Sequence, residues 1–290
     1  MRQRGLALVL VLWLLALLVG VVGAFALSSR IESLLGRSAL SLAQASLAAE
    51  AGIELAVLRM RDPVAENRLV PDGRPYNMVF EKARLTLRVT DESGRLDLNT
   101  ADPANLAQLF QFYEVDEEQA LALADAIADW RDPDDLVLMR GAEGAEYAAA
   151  GLPYGPADSP FVSVAELQRV LGMTPDLFQK VAPSLTVYSG RPVNTSFADA
   201  AVLAALGVES EAAVDFLNVR NDWTPSSGEP PLAPDGTALS ASGSGTYSIE
   251  ARAALSDGTR LMLTQTVRVG GGDAVGRPYS ILQRREGEIH

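Results

Sequence analysis

Apolar positions run without a charge from Leu6 to Leu27, LALVLVLWLLALLVGVVGAFAL, and the next charged residue is Arg30. A bilayer-spanning helix needs about 20 apolar residues, whereas the apolar core of a secretory signal holds about 7 to 15. The run therefore predicts a membrane-spanning helix. Arg2 and Arg4 precede it, and the positive-inside rule leaves them cytoplasmic with everything after Ser28 outside. The competing reading is a cleaved signal, for which Ala24-Phe25-Ala26 offers a small-x-small site. The next stretch argues against cleavage. Ile31, Leu34, Leu35, Leu42, Leu47, Ile53, Leu55 and Leu58 are spaced largely at three and four, so the helix continues until Asp62-Pro63 stops it. Gly20, Gly23, Gly36 and Gly52 are points at which it can bend. Leu6 to Arg61 is then one rod of about 80 Å at 1.5 Å per residue.

Beyond Pro63 the period changes. AENRLVPDGRPYN reads as an exposed segment, and Arg84 to Thr90 alternates as a strand with Leu85, Leu87 and Val89 on one face. Asp91-Glu92-Ser93-Gly94 predicts a turn and Arg95 to Asn99 a returning strand. From Thr100 to about Asn221 the pattern is helical. Leu106, Leu109 and Phe110 share one short helix, and Ala120, Leu121, Ala124 and Ile127 another. Asn99-Thr100 and Ser163 are N-cap candidates, and Ser163-Val164-Ala165-Glu166 has the form of a capping box. LNTADPANLAQLF at 98 and VNTSFADAAVLAAL at 193 each set Asn-Thr before a short helix, suggesting two related small helical subdomains. Thr224 to Gly245 is rich in Pro, Gly and Ser and predicts a flexible loop. Strands resume at Tyr247–Leu255 and Thr259–Val269 around the Asp257-Gly258 turn, with a last one at Pro278–Arg285.

Composition narrows the chemistry. The chain has no cysteine, which removes disulfides, thiol catalysis and thiolate metal sites, and its single histidine is the last residue. Ser-His-Asp triads and histidine zinc sites go with it. Of a net charge of −13, fifteen carboxylates against three arginines put −12 between residues 91 and 150. Such a surface repels nucleic acid and attracts cations.

A short basic leader ending in glycine, an apolar stretch that begins a long helix, and Ala49-Glu50-Ala51-Gly52 in its second half resemble the type IV pilins and type II secretion pseudopilins. The resemblance implies that a prepilin peptidase cuts between Gly5 and Leu6 and methylates the new N-terminus. It also implies a long helix packed on an antiparallel sheet. Most members carry glutamate at the fifth mature position, which here is Leu10. That absence, together with about 120 helical residues interrupting the sheet, resembles the K-type minor pseudopilins of the general secretion pathway. Segments such as SGRLDLNTA, LADAIADWRDPDD and PFVSVAELQRVLGMT carry the likeness through the chain.

The fold class expected is α+β, a pilin-like helix and sheet with a large all-helical insertion. The corresponding divisions are a leader at 1–5, a membrane half-helix at 6–27, a discontinuous core at 28–99 and 240–290, the insertion at 100–223 and a loop at 224–245. Implied with them are a non-enzymatic subunit at the tip of the pseudopilus, anchored once in the inner membrane with its C-terminal domain in the periplasm. Its partners are then the I- and J-type minor pseudopilins, the prepilin peptidase and secreted proteins. A plain membrane anchor carrying a periplasmic binding or sensory domain is the alternative, and a metal-dependent hydrolase a further one.

The densest chemistry lies in DWRDPDDLVLMRGAEGAEY, residues 129–147. Asp129, Asp132, Asp134, Glu143 and Glu146 crowd a loop around Pro133, and close carboxylates repel unless a cation or solvent intervenes. Hard oxygen donors in a flexible loop suit calcium better than magnesium, although the spacing is not an EF-hand, and a solvated acidic loop is the other reading. The K-type resemblance implies calcium here. Gly144, where relatives carry an acidic or polar residue, and Asp158, where asparagine is common, depart from its pattern. LDLNTADPANLAQLF also resembles DNA-binding helix-hairpin-helix modules, but Phe112-Tyr113-Glu114-Val115-Asp116 lacks their glycines and adds carboxylates. Trp130 and Tyr147 read as packing residues.

Overall fold

The structure is a computed structural model that describes residues 4–239, 243–270 and 278–287. Helix α1, Arg4–Met60, runs unbroken for 57 residues, about 85 Å at 1.5 Å each. Leu10 to Leu40 lie bare along it, with Leu10 68% exposed. The helix is long and apolar enough to cross a membrane, with a mean hydropathy of 2.9 over its most apolar window. Its second half is built differently. Ala45, Ala48, Ala49, Ile53, Ala56, Val57 and Met60 form a buried stripe. Small residues on that stripe let the helix approach the sheet closely. A Cβ at Gly52 would stand 2.9 Å from a Leu87 methyl and 3.4 Å from one of Leu85.

The sheet under that stripe comprises β1 (Asp72–Phe80), β2 (Ala83–Asp91), β5 (Thr246–Ala254), β6 (Arg260–Val269) and β7 (Tyr279–Gly287), in the order β1-β2-β5-β6-β7 and antiparallel throughout. Leu85, Leu87 and Val89 face the helix as alternation requires, joined by Ile249, Ala251, Leu261 and Leu263. Ser41 donates to Asp257 at the β5–β6 turn, and Glu54 and Glu50 receive Tyr279 and Arg284 from β7.

Between β2 and β5 the chain leaves the sheet. The insertion holds β3 (Leu96–Asp97), α2 (Pro103–Phe112), α3 (Glu117–Arg131), α4 (Gly144–Ala149), α5 (Pro175–Val181), β4 (Leu185–Thr186), α6 (Ala200–Ala205) and α7 (Ser210–Asp222). One continuous core, from Leu96 through Leu106, Phe110, Ile127, Trp130 and Leu203 to Phe216, serves all of it. The two Asn-Thr units thus pack together into one body. They also use their asparagines differently. Asn99 exchanges hydrogen bonds with the backbone of Phe161 at 2.7 and 2.9 Å, whereas Asn194 folds onto Ser196.

Several local expectations are corrected. Residues 95–99 do not return beside β2. Asp91 instead accepts from Ser93 N to close a buried 3-10 turn, and Leu96–Asp97 pairs in parallel with Leu185–Thr186. The hairpin partner of β2 is β1, most of which lies inside the stretch that reads as exposed. As an edge strand it is only half covered, with Tyr76 and Met78 its inward residues, so its hydrophobic period is faint. Asp102, not Asn99 or Thr100, caps α2 by accepting from Ala104 N. Ser163 does cap, but over a 3-10 turn, Val164–Arg169, and Glu166 reaches Val162 N rather than closing a box. Within the loop, Ala233 and Leu239 are buried and Leu232 bridges Ala238, so its middle is packed down. His290, Met1 and residues 240–242 lie outside the described residues.

Candidate ion site on the helical insertion

Helix α3 ends at Arg131, where Asp132 turns extended and Pro133 forbids another turn. The Arg131 guanidinium then reaches back to the carbonyls of Leu98 and Ala101, tying the loop's start to β3. Beneath the loop lies an aromatic floor. Trp130 stacks on Phe161 at 6.0 Å and meets Tyr147 at 6.2 Å, and both Trp130 and Tyr147 are fully buried. Tyr147 accepts from Leu171 N at 3.0 Å, and the Arg169 guanidinium lies over Trp130 and Tyr154. Both aromatics pack as expected.

Onto this dry floor the fold sets two buried carboxylates. Asp129 is wholly buried and accepts from Leu138 N at 3.2 Å. Its burial raises its pKa above the ordinary carboxylate range, Leu138 and Ala142 N–H groups partly offset that, and Asp132 and Asp125 add repulsion. Glu143, 6% exposed, is pushed up to about 7, first by burial and then by Asp129, Asp158, Asp132 and Asp135. Glu143 Oε1 and Asp132 Oδ1 are both buried without a hydrogen-bond partner. Gly141 is pressed against this group so tightly that a Cβ there would fall 1.9 Å from Asp129 Oδ2.

Asp129, Asp132 and Glu143 are near enough to act on one another electrostatically. Asp134 does not join them, since its carboxylate is turned to the exposed Leu136 N. Glu146 is the third-position partner of a capping box on α4, accepting from the N–H of the N-cap Glu143 at 2.9 Å, while the Glu143 side chain accepts from Glu146 N. Asp135 and Asp158, absent from the expected set, are the further negative charges acting on Glu143. Asp158 sits at φ 49, a left-handed position that asparagine and aspartate tolerate, in keeping with the sequence's substitution of aspartate where asparagine is common. The ring is spread: among the described residues no three such groups are gathered closely enough to grip an ion together. Their mutual repulsion and that spacing describe the same arrangement. Asp132 Oδ1 and Glu143 Oε1 are nonetheless carboxylate oxygens taken out of water with no partner, a cost that a cation drawn in between them would offset.

The loop and its floor lie within residues 84–190, the stretch that matches the family profile described as type II secretion system (T2SS), protein K. Over 235 residues the chain is 31% identical to type II secretion system protein K of Klebsiella pneumoniae, covering 71% of this chain and 70% of that one. The chain belongs to the type II secretion system protein K family. As a member of the protein K family it is a minor pseudopilin, a structural component of the type II secretion system. A shorter match, 34% over 128 residues, joins it to protein K of Aeromonas hydrophila, spanning 42% of this chain and 38% of that one. Its fold is similar to one in the crystal structure of the GspK-GspI-GspJ complex from enterotoxigenic Escherichia coli. The TM-score is 0.61 at 18% identity, over 87% of this chain and 99% of that one. The long helix, antiparallel sheet and helical insertion are thus the protein K architecture.

Proposed function

We propose that this protein caps the tip of the type II secretion pseudopilus, bound to the I- and J-type minor pseudopilins, and that it aids export of folded proteins without catalysing a reaction. The observation that carries the reading is the size and independence of the insertion. A core running from Leu96 to Ala233 stands outside the helix-and-sheet unit and has its own hydrophobic interior. Such a head is too bulky for an interior position in a narrow fibre and is accommodated at an end. Leu10 agrees with this. A carboxylate in lipid is costly unless a neighbour matches it, and leucine frees the subunit from needing a neighbour on that side. The GspK chain solved in complex with GspI and GspJ supports these two partner types. The bare apolar face of α1 supports a single inner-membrane anchor with the remainder in the periplasm.

Co-purification tests the partnership. The full chain, extracted in mild detergent, is expected to carry I- and J-type subunits through size-exclusion chromatography in calcium. Elution of the three as separate species would overturn it. Processing is tested by mass. After co-expression with a prepilin peptidase the mature chain is expected to begin at Leu6 with one added methyl group. An intact Met1 would favour the plain-anchor reading.

We also propose that calcium occupies the acidic loop by drawing Asp129, Asp132 and Glu143 together, with Asp135 and Asp158 adding negative charge around them. Asp134 and Glu146, named as ligands from the sequence, are engaged with backbone N–H groups. The ion would supply positive charge where buried carboxylates otherwise repel.

A further inference from the structure

Where the end of the sheet meets the insertion, a cleft of about 250 Å³ is lined by Tyr188, Ser189, Arg191, Ser244, Thr246 and Arg268. Its chemistry runs against the rest of the molecule. In a chain of net charge −13, Arg191 and Arg268 line one hollow, and Tyr188 on its wall feels the Glu92 carboxylate first and then, with opposite sign, Arg285 of β7. None of the three arginines makes an ion pair among the described residues, and Arg268 has only a long 3.4 Å contact from Nε to Thr246 Oγ1. The carboxylates behind the wall are already committed. Asp91 is fully buried and accepts from Ser93 and Ser244, and Glu92 is held by Arg95 and Thr186. Ser189 Oγ is buried at the cleft with no partner, a hydroxyl that a bound acceptor would satisfy.

We propose that this cleft is an oxyanion site that takes a carboxylate carried by an acidic polypeptide segment of a partner. Two guanidinium groups give charge-assisted hydrogen bonds in a fork that matches a carboxylate, and the Ser189 hydroxyl adds a third donor. Lipid phosphate is remote from it. Ser41 contacts the β5–β6 turn, and it lies about 20 Å along α1 from Leu27 at 1.5 Å per residue. The cleft is at the other end of those strands, level with Glu54, where Val269 pairs with Tyr279. That adds about 20 Å more along α1, leaving the cleft several Debye lengths, each about 8 Å at physiological salt, beyond the membrane surface. Beside the cleft begins β7, one of the two edge strands of the sheet, along which an extended chain can lie. The site is independent of the calcium and tip assignments.

The test uses the full chain in uncharged detergent and fluorescence anisotropy with labelled hexaglutamate. Binding is expected for hexaglutamate and not for hexaglutamine. Arg191→Gln combined with Arg268→Gln is expected to weaken it at least about tenfold, the loss of one or more charge-assisted hydrogen bonds. Arg252→Gln, on the sheet away from the cleft, is expected to leave it unchanged. Both cleft arginines are exposed and make no ion pair among the described residues, so an unchanged melting temperature confirms that the double variant is folded. Equal binding by the double variant, loss with Arg252→Gln as large as with the pair, or no hexaglutamate binding would overturn the proposal. So would inorganic phosphate displacing the peptide at equal concentration, which would mark a site for free anions.

Discussion

Asp72→Ala is expected to destabilise the protein by about 3–5 kcal/mol, the cost of stranding buried cations. Asp72 belongs to β1, and its side chain is entirely buried. Arg74 grips it through Nε at 2.9 and 3.0 Å and through Nη2 at 2.6 Å. The same guanidinium then donates to Trp223 O at 2.6 Å and Arg220 O at 2.5 Å, at the end of α7. Arg220, itself buried, approaches Asp72 to 3.9 Å and donates to Ala198 O at 2.7 Å. Burial draws the Arg220 pKa down and Asp72 opposes it. For Arg74, burial works the same way, yet Asp72 prevails and holds the pKa above the ordinary value. One carboxylate thus joins the pilin-like sheet to the helical head. Its removal leaves two guanidinium groups in a dry joint, and Asp72→Asn is expected to restore part of the loss. Thermal denaturation in detergent measures the change, and limited proteolysis between residues 224 and 239 reports loosening of the joint. A loss below about 1 kcal/mol would place the pair among weak, solvent-screened bridges.

The second large effect is the response of the acidic loop to pH and calcium. Glu143 has a folded pKa of about 7 against an ordinary value of 4.5. Between those values the folded chain holds a proton that the unfolded chain has released. Stability is therefore complete below about pH 4.5 and falls as pH rises through about 7, the reverse of an ion-paired carboxylate. Asp129, also raised, acts in the same direction. Calcium at the proposed site would bind the deprotonated form and remove this penalty. Without divalent cations the melting temperature is expected to drop from pH 5 to pH 8. At a hundredfold excess over its dissociation constant calcium is expected to add about 2.7 kcal/mol, with the gain larger at pH 8 than at pH 5. Glu143→Gln is expected to flatten the pH slope and remove most of the gain, and Asp134→Ala to do neither. A calcium response untouched by Glu143→Gln would move the ion elsewhere.

The boundary between what could be read and what could not follows the range of the forces involved. The span from Leu6 to Leu27, the helix carried on to Asp62-Pro63, the β5–β6 hairpin and the two helices before the acidic loop all rest on local period, turn residues and proline, and each is where the sequence puts it. The same holds for Asp129, whose place at the end of a helix just before Pro133 is a matter of neighbouring residues.

Tertiary structure alone decided the rest. The return of 95–99 failed because a buried Asp91 turn sends the chain into the insertion, and β5, some 150 residues later, occupies the place beside β2. Edge strand β1 escaped notice because half its surface is bare. Asp134 and Glu146 have the same chemistry as Asp132 and Glu143, but backbone N–H groups claim the first two and leave the others with orphaned oxygens. Composition tells which groups are present. Which of them are taken out of water together depends on contacts between residues far apart in the chain, and desolvation, not residue type, sets their charge and their use.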